Sequence, residues 1–169
     1  HHFACNSFCD SQVGRVLEVV DAETPGALVI HTSDHGDMFG SHRLHGKGPS
    51  MYEENVRIPF IVRWPGRVKS ASTSDALVCQ IDFMASLAAL TGQTLAENAG
   101  PDSLTTLPAL LGASAVGRDH LIEHAGALAL RVGNWKLIDS NKGPAVSQNV
   151  NIEVGNAPQP QLYDLSSDP

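Results

Sequence analysis

A carboxylate and an imidazole stand side by side at Asp34 and His35, followed by Gly36 and a second carboxylate, Asp37. They come directly after an apolar run, residues 27–30, of the kind that forms a strand buried on both faces. Chemistry in α/β proteins collects just past the carboxyl ends of such strands. Adjacent side chains on an extended backbone point apart, so a turn at Gly36 is needed to bring both groups toward one metal ion. The alternative is that the two aspartates only cap a turn or helix.

The loop that follows, residues 36–52, is long and rich in glycine and histidine. Compact domains seldom carry such a loop without a functional reason. Lys47 stands between two glycines, so its ammonium has little local competition for space, and His42 lies five residues before it. Taken alone, Lys47 would be read as a surface lysine and His42 as a structural histidine.

Several motifs in the correct order resemble the carboxyl-terminal half of the sulfatase family, within the alkaline-phosphatase superfamily. They are T-S-D-H-G-D at 32–37, G-S-H at 40–42, H-G-K-G at 45–48, M-Y-E-E at 51–54, V-R-I-P at 56–59 and R-W-P-G at 63–66. The likeness returns in A-L-R-V-G-N-W-K-L-I at 129–138 and in L-Y-D-L at 162–165 with its D-P ending. Residues 140–160 match no family pattern.

The resemblance implies hydrolysis of a sulfate ester, either an aryl sulfate or a sulfated carbohydrate. Asp34 matches a metal-ligand aspartate, and His35 occupies the neighbouring ligand position, where other members carry Asn. Lys47 matches the catalytic lysine that contacts the sulfate, where an ammonium stabilises developing oxygen charge. His42 is a second catalytic candidate, as a substrate contact or a support. Tyr52, Glu53, Glu54 and Arg57 are expected to be supports, with Arg57 pairing with a carboxylate.

The implied metal is Ca²⁺ in the full-length protein, with Mn²⁺, Mg²⁺ and Zn²⁺ as alternatives. Calcium takes about six to eight oxygen ligands, so one carboxylate and one imidazole form a weak site, and this fragment alone is compatible with no bound ion. The imidazole of His35 also suits zinc or manganese.

Sulfatases use a formylglycine nucleophile, made from Cys or Ser in the motif C-x-[PA]-x-R, and neither Cys5 nor Cys9 fits it. We therefore expect a missing N-terminal half of the same chain to supply the nucleophile, and the fragment alone to be inactive. Two alternatives stay open: a portion of a related metal-dependent phosphoester or phosphonate hydrolase, or a non-catalytic, degenerate sulfatase-like binding module. Three cysteines exclude a complete disulfide framework, so Cys5, Cys9 and Cys79 are predicted to be buried thiols.

Composition places the chain among ordinary globular proteins. The 169 residues are 42% hydrophobic and 17% charged, with a net charge of −7, which argues against a nucleic-acid partner. No apolar run is long enough to span a membrane. No signal peptide is visible, and we expect a piece of a longer protein. A periplasmic or secreted location is plausible from the resemblance alone.

The predicted fold class is α/β. Residues 1–92 are expected to form the carboxyl-terminal part of the catalytic domain, a mostly parallel sheet with covering helices. Its strands are predicted at 27–33 and 58–63, and its helices at 2–20 and 82–91, both with apolar stripes at helical spacing.

Residues 93–169 are expected to form a small antiparallel α+β subdomain after a linker at 93–103. A short helix is predicted at 106–111, with strands at 120–123, 128–132, 135–139, 150–154 and 162–165. Gly133-Asn134 between two apolar runs indicates a hairpin.

Overall fold

The strand that precedes Asp34, β1 (Val29–Thr32), pairs with β2 (Phe60–Arg63). The structure is a computed structural model that describes residues 2–149 and 151–168. Both predicted strands are confirmed and lie in one sheet. Thr32 is the partner of Phe60, so the connecting loop begins and ends at the same end of the pair. The pair is therefore antiparallel, as are the other pairings among the described residues, and the mostly parallel sheet stays a prediction.

The described residues form four helices beside the strands: α1 (His2–Glu23), α2 (Glu53–Val56), α3 (Phe83–Thr91) and α4 (Leu107–Leu110). The predicted helices at 2–20, 82–91 and 106–111 are confirmed. Gly92 ends α3 at φ +69, the left-handed conformation that favours glycine at a helix end. Two 3₁₀ turns, Ser41–Arg43 and Gln80–Asp82, complete the helical elements. Among the described residues, no helix has the length and apolar content to cross a bilayer.

Helix α1 keeps most of its apolar side chains in solvent. Phe8 is 66% exposed and Val16 is 62% exposed, and Cys5 and Cys9 are exposed as well. The predictions that this stripe packs on the sheet and that these two thiols are buried are therefore wrong for the described residues. The two-stranded β1–β2 sheet is too small to cover a helix of 22 residues.

A four-stranded antiparallel sheet dominates the second half of the chain, in the order β3-β4-β5-β8. Its strands are β3 (Leu121–Ala125), β4 (Ala127–Val132), β5 (Trp135–Ile138) and β8 (Gln161–Asp164). Val132 pairs with Trp135, so the predicted hairpin is confirmed. The predicted strand at 150–154 is reduced to β7 (Ile152–Glu153), paired with an unpredicted β6 (Val146–Ser147), and Val150 lies outside the described residues.

The covered face of this sheet packs against the segment that precedes α2. Its core consists of Met51, Ala125, Ala127, Ala129 and Ile138, with Tyr163 packed against it. The division of the chain near residue 92 stays a prediction.

Candidate functional site

Asp34 and His35 lie in the turn directly after β1, and their side chains meet. Nε2 of His35 is 3.5 Å from Oδ2 of Asp34, and the His35 backbone N–H donates to Oδ1 of Asp34 at 3.1 Å. Nδ1 of His35 is 2.8 Å from the Gly36 carbonyl oxygen. Because a carbonyl only accepts, Nδ1 carries a proton, and in the neutral tautomer of this ring Nε2 keeps its lone pair.

Gly36 is required at this turn by close backbone approach, not by a left-handed φ. Its N–H donates to the Asn55 carbonyl at 2.9 Å, and a Cβ at position 36 would lie 1.7 Å from the Glu54 carbonyl oxygen. Gln80 holds the other side of the turn, since its Nε2 donates to the Ser33 carbonyl at 2.7 Å. The turn is thus fixed between α2 and the start of α3.

The Asp34 carboxylate is open to solvent and ionised. Its side chain is 84% exposed, and that of His35 is 39% exposed. Desolvation acts to raise the pKa of Asp34, but His35, two backbone N–H groups and Lys47 together outweigh it, so the pKa is lowered.

The donor set of this turn fits a divalent ion. Two neighbouring ligands of one ion, each at about 2.0–2.6 Å from it, lie roughly 3–3.5 Å apart. The separation of 3.5 Å between Oδ2 of Asp34 and Nε2 of His35 matches this. Within the described residues no third His, Cys, Asp or Glu joins them, and the metal-ligand role of Asp34 and His35 stays a prediction.

Lys47 lies on the same loop with its ammonium exposed. The loop is anchored by the fully buried Met38, whose N–H donates to the Gly46 carbonyl at 3.0 Å. Gly46 has φ +80, a conformation that side chains rarely adopt. Lys47 is near enough for its charge to lower the pKa of Asp34. The ammonium forms no hydrogen bond or ion pair with any residue that the structure describes, and its sulfate-contact role stays a prediction.

His42 is held by an aromatic neighbour and a carboxylate. Its ring stacks on Tyr52, with centroids 4.3 Å apart and 24° between the planes. Its Nε2 is 3.6 Å from Oε1 of Glu54. These contacts fix the ring beside the backbone that contacts Gly36. The catalytic role of His42 stays a prediction.

A buried charge cluster supports the segment that carries Tyr52. Glu53 accepts from Lys136 at 2.7 Å and from Arg131 at 3.1 Å, and Lys136 is also 3.1 Å from Glu123. The prediction that Glu53 is a support agrees with these contacts. Arg57 is exposed and forms no ion pair with the residues described, so its predicted carboxylate pairing is not found within this part of the chain. Lys136 was not among the predicted site residues, although strand alternation places it on the same face as Ile138.

A cleft of about 390 Å³ opens between the His42 loop and the four-stranded sheet. Polar side chains from both parts line it: His42, Tyr52, Glu153, Asn156, Gln161 and Tyr163. Much of one wall comes from residues 140–160, the stretch whose sequence matches no family pattern. Only folding brings this wall opposite the loop.

Comparisons with known proteins agree with these motifs. The family model described as Sulfatase matches residues 2–93. An N-acetylgalactosamine-6-O-sulfatase of Bacteroides thetaiotaomicron is 39% identical over 180 residues, covering 95% of this chain and 35% of the relative. Arylsulfatase K of Mus musculus is 33% identical over 156 residues, covering 84% of this chain and 25% of the relative. The chain thus spans only a minor part of each relative.

Solved structures show the same fold. One, from work on the metabolism of multiple glycosaminoglycans by Bacteroides thetaiotaomicron, superposes with a TM-score of 0.82 at 37% identity, covering 95% of this chain and 38% of the other. A sulfatase from Pseudoalteromonas superposes with a TM-score of 0.70 at 22% identity, which supports the fold alone, over 95% of this chain and 35% of the other. On the family model and these relatives, the chain belongs to the sulfatase family.

Proposed function

We propose that the protein containing this chain hydrolyses sulfate esters of a carbohydrate, with Asp34 and His35 as metal ligands and Lys47 as the sulfate contact. The observation that carries the proposal is the 3.5 Å pairing of Asp34 and His35 beside the charge of Lys47, in a chain of the sulfatase family. The relative with 39% identity is named for N-acetylgalactosamine-6-O-sulfate. A 6-sulfated amino sugar is therefore the proposed substrate class.

The proposed metal is Ca²⁺, with Mn²⁺, Mg²⁺ and Zn²⁺ as alternatives, held through Oδ2 of Asp34 and Nε2 of His35. When bound, such an ion supplies positive charge that polarises an ester oxygen. The Gly36 carbonyl keeps the proton of His35 on Nδ1, which leaves Nε2 as the ligand atom.

Lys47 acts on the sulfate itself in this proposal. Its exposed ammonium places positive charge where the non-bridging oxygens gain negative charge in the transition state. His42, fixed by Tyr52 and Glu54, is proposed to contact the substrate from the same loop.

The nucleophile is proposed to be a formylglycine in the N-terminal half of the same protein. The motif C-x-[PA]-x-R from which it is made does not occur in these 169 residues. The two halves would have to meet at the turn after β1 for the groups to act together.

The test is an assay of the complete gene product on an aryl sulfate, on 6-sulfated N-acetylgalactosamine and on an aryl phosphate. Each assay is run after chelation and again with added calcium or manganese. We expect metal-dependent release of sulfate. Turnover of the phosphate alone would instead identify a phosphoester hydrolase, and glycan binding without turnover a non-catalytic module.

Two variants connect the activity to the site. Lys47→Ala should lower kcat about 10²–10³-fold, or about 2.7–4 kcal/mol, if it behaves like one lost oxyanion donor. Asp34→Asn should weaken metal affinity together with rate, because it removes a charged ligand. Lys69→Ala, at another exposed lysine, is the control and should retain full activity. Full activity of Lys47→Ala would contradict the assignment of the sulfate contact.

A further inference from the structure

The cleft between the His42 loop and the four-stranded sheet has the dimensions of a small-molecule site. Its volume of about 390 Å³ lies within the roughly 300–1,000 Å³ range of ligand pockets. The stacked rings of His42 and Tyr52 form part of one wall, and Tyr163 contributes to the sheet side. His42 connects the cleft to the loop that carries Lys47.

The phenol donors that line the cleft are already used by the protein. Tyr52 donates to Oε2 of Glu153 at 2.7 Å, and Tyr163 donates to Oε1 of Gln161 at 2.6 Å. Gln161 in turn donates through Nε2 to the Gly155 carbonyl at 3.0 Å. Burial and the hydrogen bond to Glu153 raise the pKa of Tyr52 to about 12, so its phenol stays a neutral donor at physiological pH.

The remaining lining donors are also largely engaged. Nδ2 of Asn156 donates to the Pro144 carbonyl at 2.7 Å. The ammonium of Lys136 donates to the Met51 carbonyl at 2.8 Å and to Glu53 at 2.7 Å. Among these side chains, only the amides of Asn156 and Gln161 keep a hydrogen for a ligand, one each.

Acceptors, in contrast, are left over. Glu153 uses only one carboxylate oxygen, and Asp168 lines the cleft with its carboxylate free of side-chain hydrogen bonds in the described part of the chain. A ligand that donates a hydrogen bond to either carboxylate gains a charge-assisted contact.

We propose that this cleft is a subsite for an uncharged, hydroxyl-rich sugar ring, and that Glu153 and Asp168 accept its hydroxyl hydrogens. This inference rests on the proposed function. A sugar hydroxyl supplies the donors that the cleft lacks, and the stacked aromatic rings supply an apolar surface beside them. The carboxylates of Glu153 and Asp168 repel anions, so the subsite disfavours a second sulfate or a carboxylate on the ring.

The experiment compares the wild-type complete gene product with Glu153→Gln on three sulfate esters. The esters are 6-sulfated N-acetylgalactosamine, its 4,6-disulfated form and 4-methylumbelliferyl sulfate, which carries no sugar. In Glu153→Gln, KM for the monosulfated sugar should rise about tenfold, the size expected for one lost hydrogen bond to a charged acceptor. Activity on the sugar-free ester should stay unchanged, and the preference for the monosulfated over the disulfated sugar should shrink. Glu97→Gln, at an exposed glutamate outside the cleft, is the matched control.

Other outcomes overturn the inference. Equal losses on the sugar and on the sugar-free ester would show that Glu153 supports the fold instead of the subsite. An unchanged KM for the sugar would remove Glu153 from recognition, and preferred binding of cationic glucosamine would exclude a neutral ring. If the wild-type protein releases no sulfate at all, the proposed function fails. The subsite is then tested separately, by ligand-observed NMR of the binding of methyl N-acetylgalactosaminide. Binding that weakens in Glu153→Gln then supports the subsite, and equal binding refutes it.

Discussion

Lys136 is a buried lysine that contacts two carboxylates, one from each half of the chain. Lys136 is only 2% exposed, and its ammonium contacts the Met51 carbonyl, Glu53 and Glu123. Replacement by methionine preserves most of the buried stem and removes the charge. Glu53 keeps Arg131 as a partner at 3.1 Å, but Glu123, with a side chain only 7% exposed, loses its nearest cation.

The expected loss of stability in Lys136→Met is about 3–5 kcal/mol, because breaking a buried ion pair leaves an uncompensated charge. The loss should depend on pH. Burial is the main cause that raises the pKa of Glu123, Glu53 adds to it, and Lys136 and Arg131 oppose it. Removing Lys136 raises that pKa further.

The sign of the pH effect follows from proton binding. With a raised pKa, the folded state binds a proton more tightly than the unfolded state does. Stability is then retained below the unfolded pKa of Glu123 and lost as pH rises through its folded pKa. Lys136→Met should therefore lose more stability at about pH 8 than at about pH 5.

The assay is denaturant unfolding of the complete gene product at both pH values, with circular dichroism as the signal. Adding Glu123→Gln to Lys136→Met should recover much of the loss at the higher pH, because it removes the unpaired charge. Lys142→Met, at an exposed lysine, should change stability by less than about 0.5 kcal/mol. A loss in Lys136→Met below about 1 kcal/mol, or an equal loss at both pH values, would refute the reasoning, since a buried unpaired carboxylate would then be absent.

Three further predictions concern the turn, the start of α3 and the isolated chain. Gly36→Ala should destabilise the protein by about 1–3 kcal/mol or more and reduce activity, because its Cβ would meet the Glu54 carbonyl at 1.7 Å; Gly26→Ala, with nothing within 4 Å, is the control in the same melting and rate assays. Asp82→Asn should lower stability by about 3–5 kcal/mol in denaturant unfolding, because fully buried Asp82 pairs with Arg118 at 2.6 Å. Burial acts to raise the pKa of Asp82, but Arg118 and other hydrogen-bond donors outweigh it and lower that pKa. The stability that Asp82 contributes is therefore present above its unfolded pKa and lost as pH falls through its folded pKa. A loss of stability in Asp82→Asn that is independent of pH down to about pH 2 would contradict this. A polypeptide of these 169 residues alone should not hydrolyse an aryl sulfate, since catalytic groups are strongly non-additive, and metal-dependent turnover by it would disprove the missing-nucleophile argument.

Local sequence determined much of the first half of the chain. An apolar run that ends at small and polar residues predicted β1 and the turn behind it, and the stop at Gly92 predicted the end of α3. These features depend on residues that are neighbours along the chain, where backbone preferences act directly. The ordered motifs carried the family assignment for the same reason, because short spacings are fixed by the sequence.

The sequence left open whether the side chains of Asp34 and His35 converge. The structure gives the distance between them, 3.5 Å, and shows what holds the turn. Gly36 lies against the backbone of α2, about twenty residues later in the chain, so its lack of a side chain matters for packing and not for φ. The buried α1 stripe failed as a prediction for a related reason. Helical spacing shows that one face is apolar, but only the neighbouring elements decide whether that face is covered.

The four-stranded sheet shows most clearly what the sequence could not predict. Alternation predicts two different faces, and the apolar side chains suggest which face is buried. Yet Leu128 and Leu162 are 53% and 62% exposed, whereas Ala127 and Lys136 are buried. The covered face is the one that meets Met51, which lies 85 residues before Lys136 in the chain. The sequence alone determined most of the strands, the hairpin and the family, and only the tertiary structure decided the buried face and the cleft, because both depend on contacts between segments far apart in the chain.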